Sequence, residues 1–128
     1  MTLAVTVVPV TPYQQNCSVV KCETTGKAAI VDPGGDIDRI LAAAEKMGAT
    51  VEKILLTHGH MDHCAASDVL RQQLGVPIEG PEQADRFWID KLPEWCQMAN
   101  FPHADAFEPD RWLKDGETVT VGDAEFQV

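Results

Sequence analysis

The segment Val51-Glu52-Lys53-Ile54-Leu55-Leu56 runs, with no turn residue between, into Thr57-His58-Gly59-His60-Met61-Asp62-His63-Cys64. Its consecutive apolar end is the pattern of a strand buried on both faces, because a half-solvated strand alternates apolar with polar residues. Such a strand belongs in the interior of a covered sheet. It delivers three of the chain's four histidines to its own C-terminal end, so one junction marks both the depth of the sheet and the place of the chemistry.

The elements around that junction follow from period and punctuation. Upstream, LAVTVVPV and CSVVKCE read as two strands separated by Thr11-Pro12 and a polar turn, and TTGKAAIVDPGG adds a glycine turn, a short apolar strand and a Pro-Gly-Gly loop. A β-meander is expected there. From Asp36 the period changes: Ile37, Ile40, Leu41, Ala44 and Met47 recur at helical spacing and Gly48 stands where a helix-closing glycine would. Beyond the histidines, AASDVLRQQLG predicts a second helix closed by Gly75, VPIEG a short strand, and PEQADRFWIDKL a helix with Pro81 in its first turn. The middle therefore reads strand, helix, strand, helix. Residues 93–110, with Pro93, Pro102 and Pro109, are expected to form a long irregular connection. ETVTVGDAEFQV alternates on either side of Gly122-Asp123, a hairpin whose second strand is still running at Val128.

The 128 residues suit one domain, and neither the 45% hydrophobic nor the 23% charged fraction departs from that of a globular chain. No apolar run approaches the roughly 20 residues of a membrane helix. With 20 acidic residues against 10 basic ones, a formal net charge of −10 and no basic run, the chain lacks what a nucleic-acid partner requires. The opening MTLAVTVVPVTPYQQ has no basic leader region and alternates like a first strand, which points to the cytoplasm. Cys17, Cys22, Cys64 and Cys96 follow no zinc-finger spacing and are expected to be buried free thiols.

Neutral imidazole is the commonest protein ligand for zinc, and a carboxylate is a compatible harder partner that also suits iron or manganese. His58, His60, Asp62 and His63 therefore offer four ligand atoms. Residues two apart in an extended segment point the same way, so His58 and His60 converge on one ion, while Asp62 and His63, beyond the turn at Gly59, face a second. Two ions in such a site lower the pKa of a shared water and polarise the carbonyl it attacks, with Asp62 placed to orient the resulting hydroxide or take its proton. Four ligands leave both ions short of the three each usually takes from the protein. His103, in a polar loop-like setting, is a poor candidate for another, and Cys64 beside His63 offers a nucleophilic alternative.

THGHMDH resembles the H-x-H-x-D-H motif of the metallo-β-lactamase superfamily. QNCSVV, VDPGG, ILLTHGHMDH, GVPIEGP and DRWLKDGETVTVG look like its glyoxalase II (hydroxyacylglutathione hydrolase) branch, particularly the short single-domain members, so the similarity spans nearly all of the chain. The resemblance implies an α/β chain forming the N-terminal half of an αββα sandwich, with a binuclear site of zinc, iron or manganese at one edge. It implies that His58 and His60 bind the first metal and Asp62 and His63 the second. Asp32 would support the site, and Gly34 and Gly35 would let the backbone turn beside it. The implied reaction is hydrolysis of a small-molecule thioester of the S-lactoylglutathione type, and the alternatives within the fold are a lactonase and a persulfide dioxygenase. Two departures stand out: Ala65-Ala66 replaces the usual glycine pair, and the family's later ligands fall beyond Val128. Residues 1–128 are accordingly expected to be the N-terminal part of one domain, cut inside its last strand, with a sheet face left uncovered and available for self-association. A catalytically incomplete metal-binding module is the alternative outside enzymology.

Overall fold

The computed structural model describes residues 3–127, and the expected break inside the last strand at Val128 lies outside them. Five strands, β1 (Leu3–Val10), β2 (Gln15–Cys22), β3 (Lys27–Val31), β4 (Thr50–Leu55) and β5 (Ile78–Glu79), form one sheet in the order β1-β2-β3-β4-β5. The first three are antiparallel neighbours, as a meander requires, and β3, β4 and β5 are parallel. The first parallel crossover is α1 (Ile37–Lys46), and the second carries the histidine loop, α2 (Met61–Cys64) and α3 (Ser67–Leu74). The fold is mixed α/β, as expected.

Register explains the core. Val19, Ile30, Ile54 and Ile78 stand side by side across four strands and are fully buried. They pack with Val8, Val10 and Cys17 against Ile40 and Ala44 of α1, Leu70 of α3 and Cys64 of α2. All four cysteines are buried and free. The β3–β4 pairing is interrupted between Ala28 and Ala29, where Val51 and then Lys53 are the partners and Glu52 is left over as a bulge. The Glu52 carboxylate accepts a hydrogen bond from the Gly122 N–H at 2.8 Å.

Gly122 belongs to the turn of a separate hairpin, β6 (Thr118–Val121) and β7 (Ala124–Gln127), which lies against β2 and β3 on the sheet face away from α1. Val119, Val121 and Phe126 of the hairpin flank an apolar groove with Val20, Val31 and Leu55 of the sheet. The expected uncovered face is thus partly roofed, and the exposed remainder is the outer edge strand, where Leu3, Val5 and Val7 face solvent.

Two expectations are corrected. PEQADRFWIDKL is not one helix from Pro81: Glu82 is extended and its carboxylate accepts from the Ala84 N–H at 3.3 Å, so a short 3-10 turn (Gln83–Asp85) precedes α4 (Arg86–Asp90). Nor is the region from Pro93 onward wholly irregular, since α5 (Leu92–Met98) occupies its beginning. Pro93 sits in the first helical turn, where a missing N–H removes no intrahelical bond. Leu92 and Cys96 bury one side of α5 in the main core, and α5 packs against α2.

Candidate metal centre

The site is assembled where β3 and β4 end side by side. Just past β3, Asp32 adopts a left-handed backbone (φ 58°) and is 6% exposed. Its N–H donates to the Leu55 carbonyl at the end of β4, which fixes it opposite the histidine loop. One Asp32 carboxylate oxygen accepts from the Thr57 N–H at 2.8 Å; the other accepts from the Thr57 hydroxyl at 2.6 Å and from His63 Nδ1 at 3.1 Å.

These contacts assign the tautomers. An ionised carboxylate only accepts, so His63 Nδ1 carries a proton, which in the neutral imidazole leaves the lone pair on Nε2. The Thr57 hydroxyl proton is directed to Asp32, so its oxygen accepts from His58 Nδ1 at 2.9 Å and leaves His58 Nε2 free as well. Burial, then neighbouring His63, holds the His58 imidazole below its ordinary value, with Asp32 acting in opposition. His58 is therefore neutral near pH 7, the form that binds metal.

The rings converge. His58 and His63 have centroids 3.8 Å apart, and His58 and His60 stand edge to face at 4.9 Å. The Asp62 carboxylate lies 3.7 Å from His63 Nε2. Asp32, His58 and His63 each offer a ligand atom within 4.8 Å of the others. Asp32 is the poorest ligand of these, because both of its oxygens already serve Thr57 and His63; hydrogen bonding of this kind orients a metal-binding histidine from behind. The cluster with metal-ligand spacing is Asp32, His58 and His63, while His60, edge to face with His58 and Trp88, and Asp62 lie outside it. Two imidazoles with unoccupied Nε2 positions beside carboxylates suit a divalent ion of the zinc, iron or manganese type.

The loop around them is closely fitted. A Cβ at Gly34 would collide with the Asp62 carbonyl, so the glycine lets the β3 loop pass directly under the metal motif. The Pro33 carbonyl accepts from the Ala66 N–H at 3.0 Å, which ties the same loop to the start of α3. Gly59 donates to the Asp85 carboxylate at 2.9 Å and has Trp88 and Ile89 against it. Cys64 is fully buried, its thiol is pushed upward by burial, and it donates to the Gly59 carbonyl at 3.3 Å. A protonated thiol without solvent access is a packing group, so the nucleophilic alternative is set aside. His103 is exposed and pairs with Asp105 at 2.9 Å, apart from the three converging rings. Sequence reasoning assigned no role to Thr57, Asp85 or Trp88. A hydroxyl directly before the first histidine was a usable signal for Thr57, whereas the other two come near only through the fold.

The sequence model described as the metallo-beta-lactamase superfamily matches residues 10–128. The chain belongs to the metallo-beta-lactamase superfamily. Within it, the hydroxyacylglutathione hydrolase GloC of Haemophilus influenzae is 40% identical over 123 residues, covering 95% of this chain and 58% of that protein. A hydroxyacylglutathione hydrolase of Rhodospirillum rubrum is 32% identical over 112 residues, covering 86% of this chain and 36% of its own length. Among solved structures, the B3 metallo-beta-lactamase BLEG-1 superposes with a TM-score of 0.81 at 28% identity, over 97% of this chain and 59% of that one. TTHA1623, crystallised in a di-iron-bound form, gives 0.76 at 27% identity over 88% of this chain and 57% of its own. The chain thus spans between 36% and 59% of the length of these superfamily members.

Proposed function

We propose that residues 1–128 form the N-terminal part of a metal-dependent hydrolase that cleaves thioesters of the hydroxyacylglutathione type. The observation that carries this reading is the Asp32–Thr57 network, which holds His58 and His63 in the tautomer that leaves Nε2 available. The 40% identity to a hydroxyacylglutathione hydrolase supports the substrate class. His58 and His60 would hold one divalent ion and Asp62 and His63 a second, zinc foremost, with iron or manganese as alternatives. Such ions supply water activation and a Lewis acid for the thioester carbonyl. Asp62 would orient the attacking water and take its proton, while Asp32 keeps His63 turned toward the centre. The cations would also offset, locally, the repulsion between a chain of net charge −10 and an anionic thiol such as glutathione. The cytoplasm, where that thiol is reduced and abundant, is the compartment that fits.

The test is turnover of S-lactoylglutathione by the metal-loaded protein, with metal measured per chain. Hydrolysis that stops on chelation and returns with zinc, iron or manganese is expected; a full metal complement with no thioester turnover overturns the substrate assignment. A second reading, metal binding without turnover, is favoured by one feature: four motif ligands are fewer than two catalytic ions usually require. It predicts less than two tightly held metals per chain after dialysis.

A further inference from the structure

Beside the metal motif lies an open pocket of about 350 Å³ whose walls come from two sources. His60, Met61 and Asp62 form the side shared with the proposed reactive centre, and Trp88 of α4 with Trp95 and Met98 of α5 form the other. The Trp88 ring meets His60 edge to face at 4.6 Å, and the Trp95 ring lies 5.0 Å from Trp88. Met98 is 77% exposed, so the main core does not account for its position. The lining contains no lysine or arginine, and its ionisable side chains are only those of the motif itself.

We propose that this pocket is an apolar subsite that takes one arm of the substrate, an alkyl or acyl chain attached to the scissile carbonyl or its sulfur. The inference rests on the reading of His60 and Asp62 as part of the reactive centre. Continuity carries it: the same two residues face both the chemistry and the pocket, so a chain leaving the reacting carbonyl on that side enters an indole and thioether wall. Indole faces and a flexible thioether accept apolar groups of varied shape. The anionic end of a substrate finds no cation here and must lie elsewhere. The subsite therefore confers preference for thioesters carrying an apolar chain over those carrying only small polar groups.

Binding can be read without turnover. Trp112 packs under Arg86, outside the pocket, so Trp112→Phe leaves Trp88 and Trp95 as the only indoles of a chain with three. In the metal-loaded variant, tryptophan emission is titrated with the S-hexyl and S-methyl thioethers of N-acetylcysteine, neither of which can be hydrolysed. The hexyl compound is expected to bind at least about tenfold more tightly, since each methylene buried adds to affinity. Met98→Asp should reduce that ratio to about twofold with metal content and circular dichroism unchanged, and Met98→Leu should keep it. Equal affinities, or a preference that Met98→Asp leaves intact, overturn the proposal. Rates with the hexanoyl thioester of a short polar thiol and the acetyl thioester of hexanethiol, each against the acetyl thioester of the short thiol, identify the arm. A higher kcat/KM for either supports the subsite, and equal values for all three count against it. Chain-length preference without turnover would remove the hydrolase reading and leave the subsite, and turnover without preference would do the reverse.

Discussion

Asp32 is held in a conformation that costs a non-glycine residue roughly 1 kcal/mol, and its carboxylate makes three hydrogen bonds there. The strain places an acceptor where Thr57 and His63 each need one, so the residue acts on the centre through its neighbours. Asparagine retains one acceptor oxygen and puts an amide donor in place of the other, so it cannot satisfy the Thr57 N–H, the Thr57 hydroxyl and the His63 Nδ1–H all at once. Asp32→Asn is expected to weaken metal binding by about 10- to 100-fold, measured by chelator competition. Unchanged affinity would reduce Asp32 to a backbone role. Gly34 tests the same loop sterically. The side chain of Gly34→Ala would occupy the space of the Asp62 carbonyl, a backbone atom with nowhere to move. A stability loss of about 2 kcal/mol or more by denaturant titration is expected, accompanied by loss of bound metal; a variant as stable as the parent would show that the two loops separate freely.

Among the elements, the short β5 depends on a tether from outside the sheet. Asp110 accepts from the Ile78 N–H at 2.7 Å and from Arg71 of α3 at 3.1 Å, joining strand, helix and the segment before the hairpin. Burial works against its carboxylate, but the Ile78 and Arg71 hydrogen bonds outweigh it and hold the carboxyl below its ordinary value. A group lowered in the folded state stabilises above its unfolded pKa, near 3.9, and loses that contribution as pH falls through the lowered folded value. Asp110→Asn should therefore lower the thermal midpoint at pH 7, by the equivalent of about 1 kcal/mol, and flatten its decline below pH 4. Identical acid limbs would exclude the tether. At this scale much was legible: the helical period from Ile37 to Met47, the meander, the hairpin at Gly122-Asp123 and the strand feeding the histidines all rest on local pattern. The helix Leu92–Met98 was not, because three prolines over 93–110 read as breakers although the first suits a helix start. The metal motif was plain in sequence. The role of Asp32 was only half visible, since an Asp before Pro-Gly-Gly equally signals a simple turn, and what distinguishes the two, the neighbouring end of β4, lies 25 residues away at Thr57.

Over the whole molecule, the sheet is buried beneath helices on one face and half roofed by the hairpin on the other, leaving Val5 at 57% and Val7 at 52% exposure on an edge strand. Edge strands with apolar exposed faces invite pairing with other chains. Replacing both by lysine should change stability by no more than about 1 kcal/mol while reducing concentration-dependent association in sedimentation velocity; association that persists would place the contact elsewhere. The last consequence concerns Glu52. The extra residue in β4 lets Val51 and Ile54, three apart in sequence, both lie on the helix side, opposite Ala28 and Ile30. Deleting it would join Val51 to Lys53 in a regular ladder and leave Ile54 in step with Ile30, so the histidines would keep their exit and the loss would be the Glu52 carboxylate that holds the Gly122 N–H. Insertions within the crossover that contains α1 leave that step untouched. The bulge thus belongs to the joint between the sheet and the hairpin, and the centre depends on the pairing of Ile54 with Ile30, not on the number of residues the chain takes to reach it.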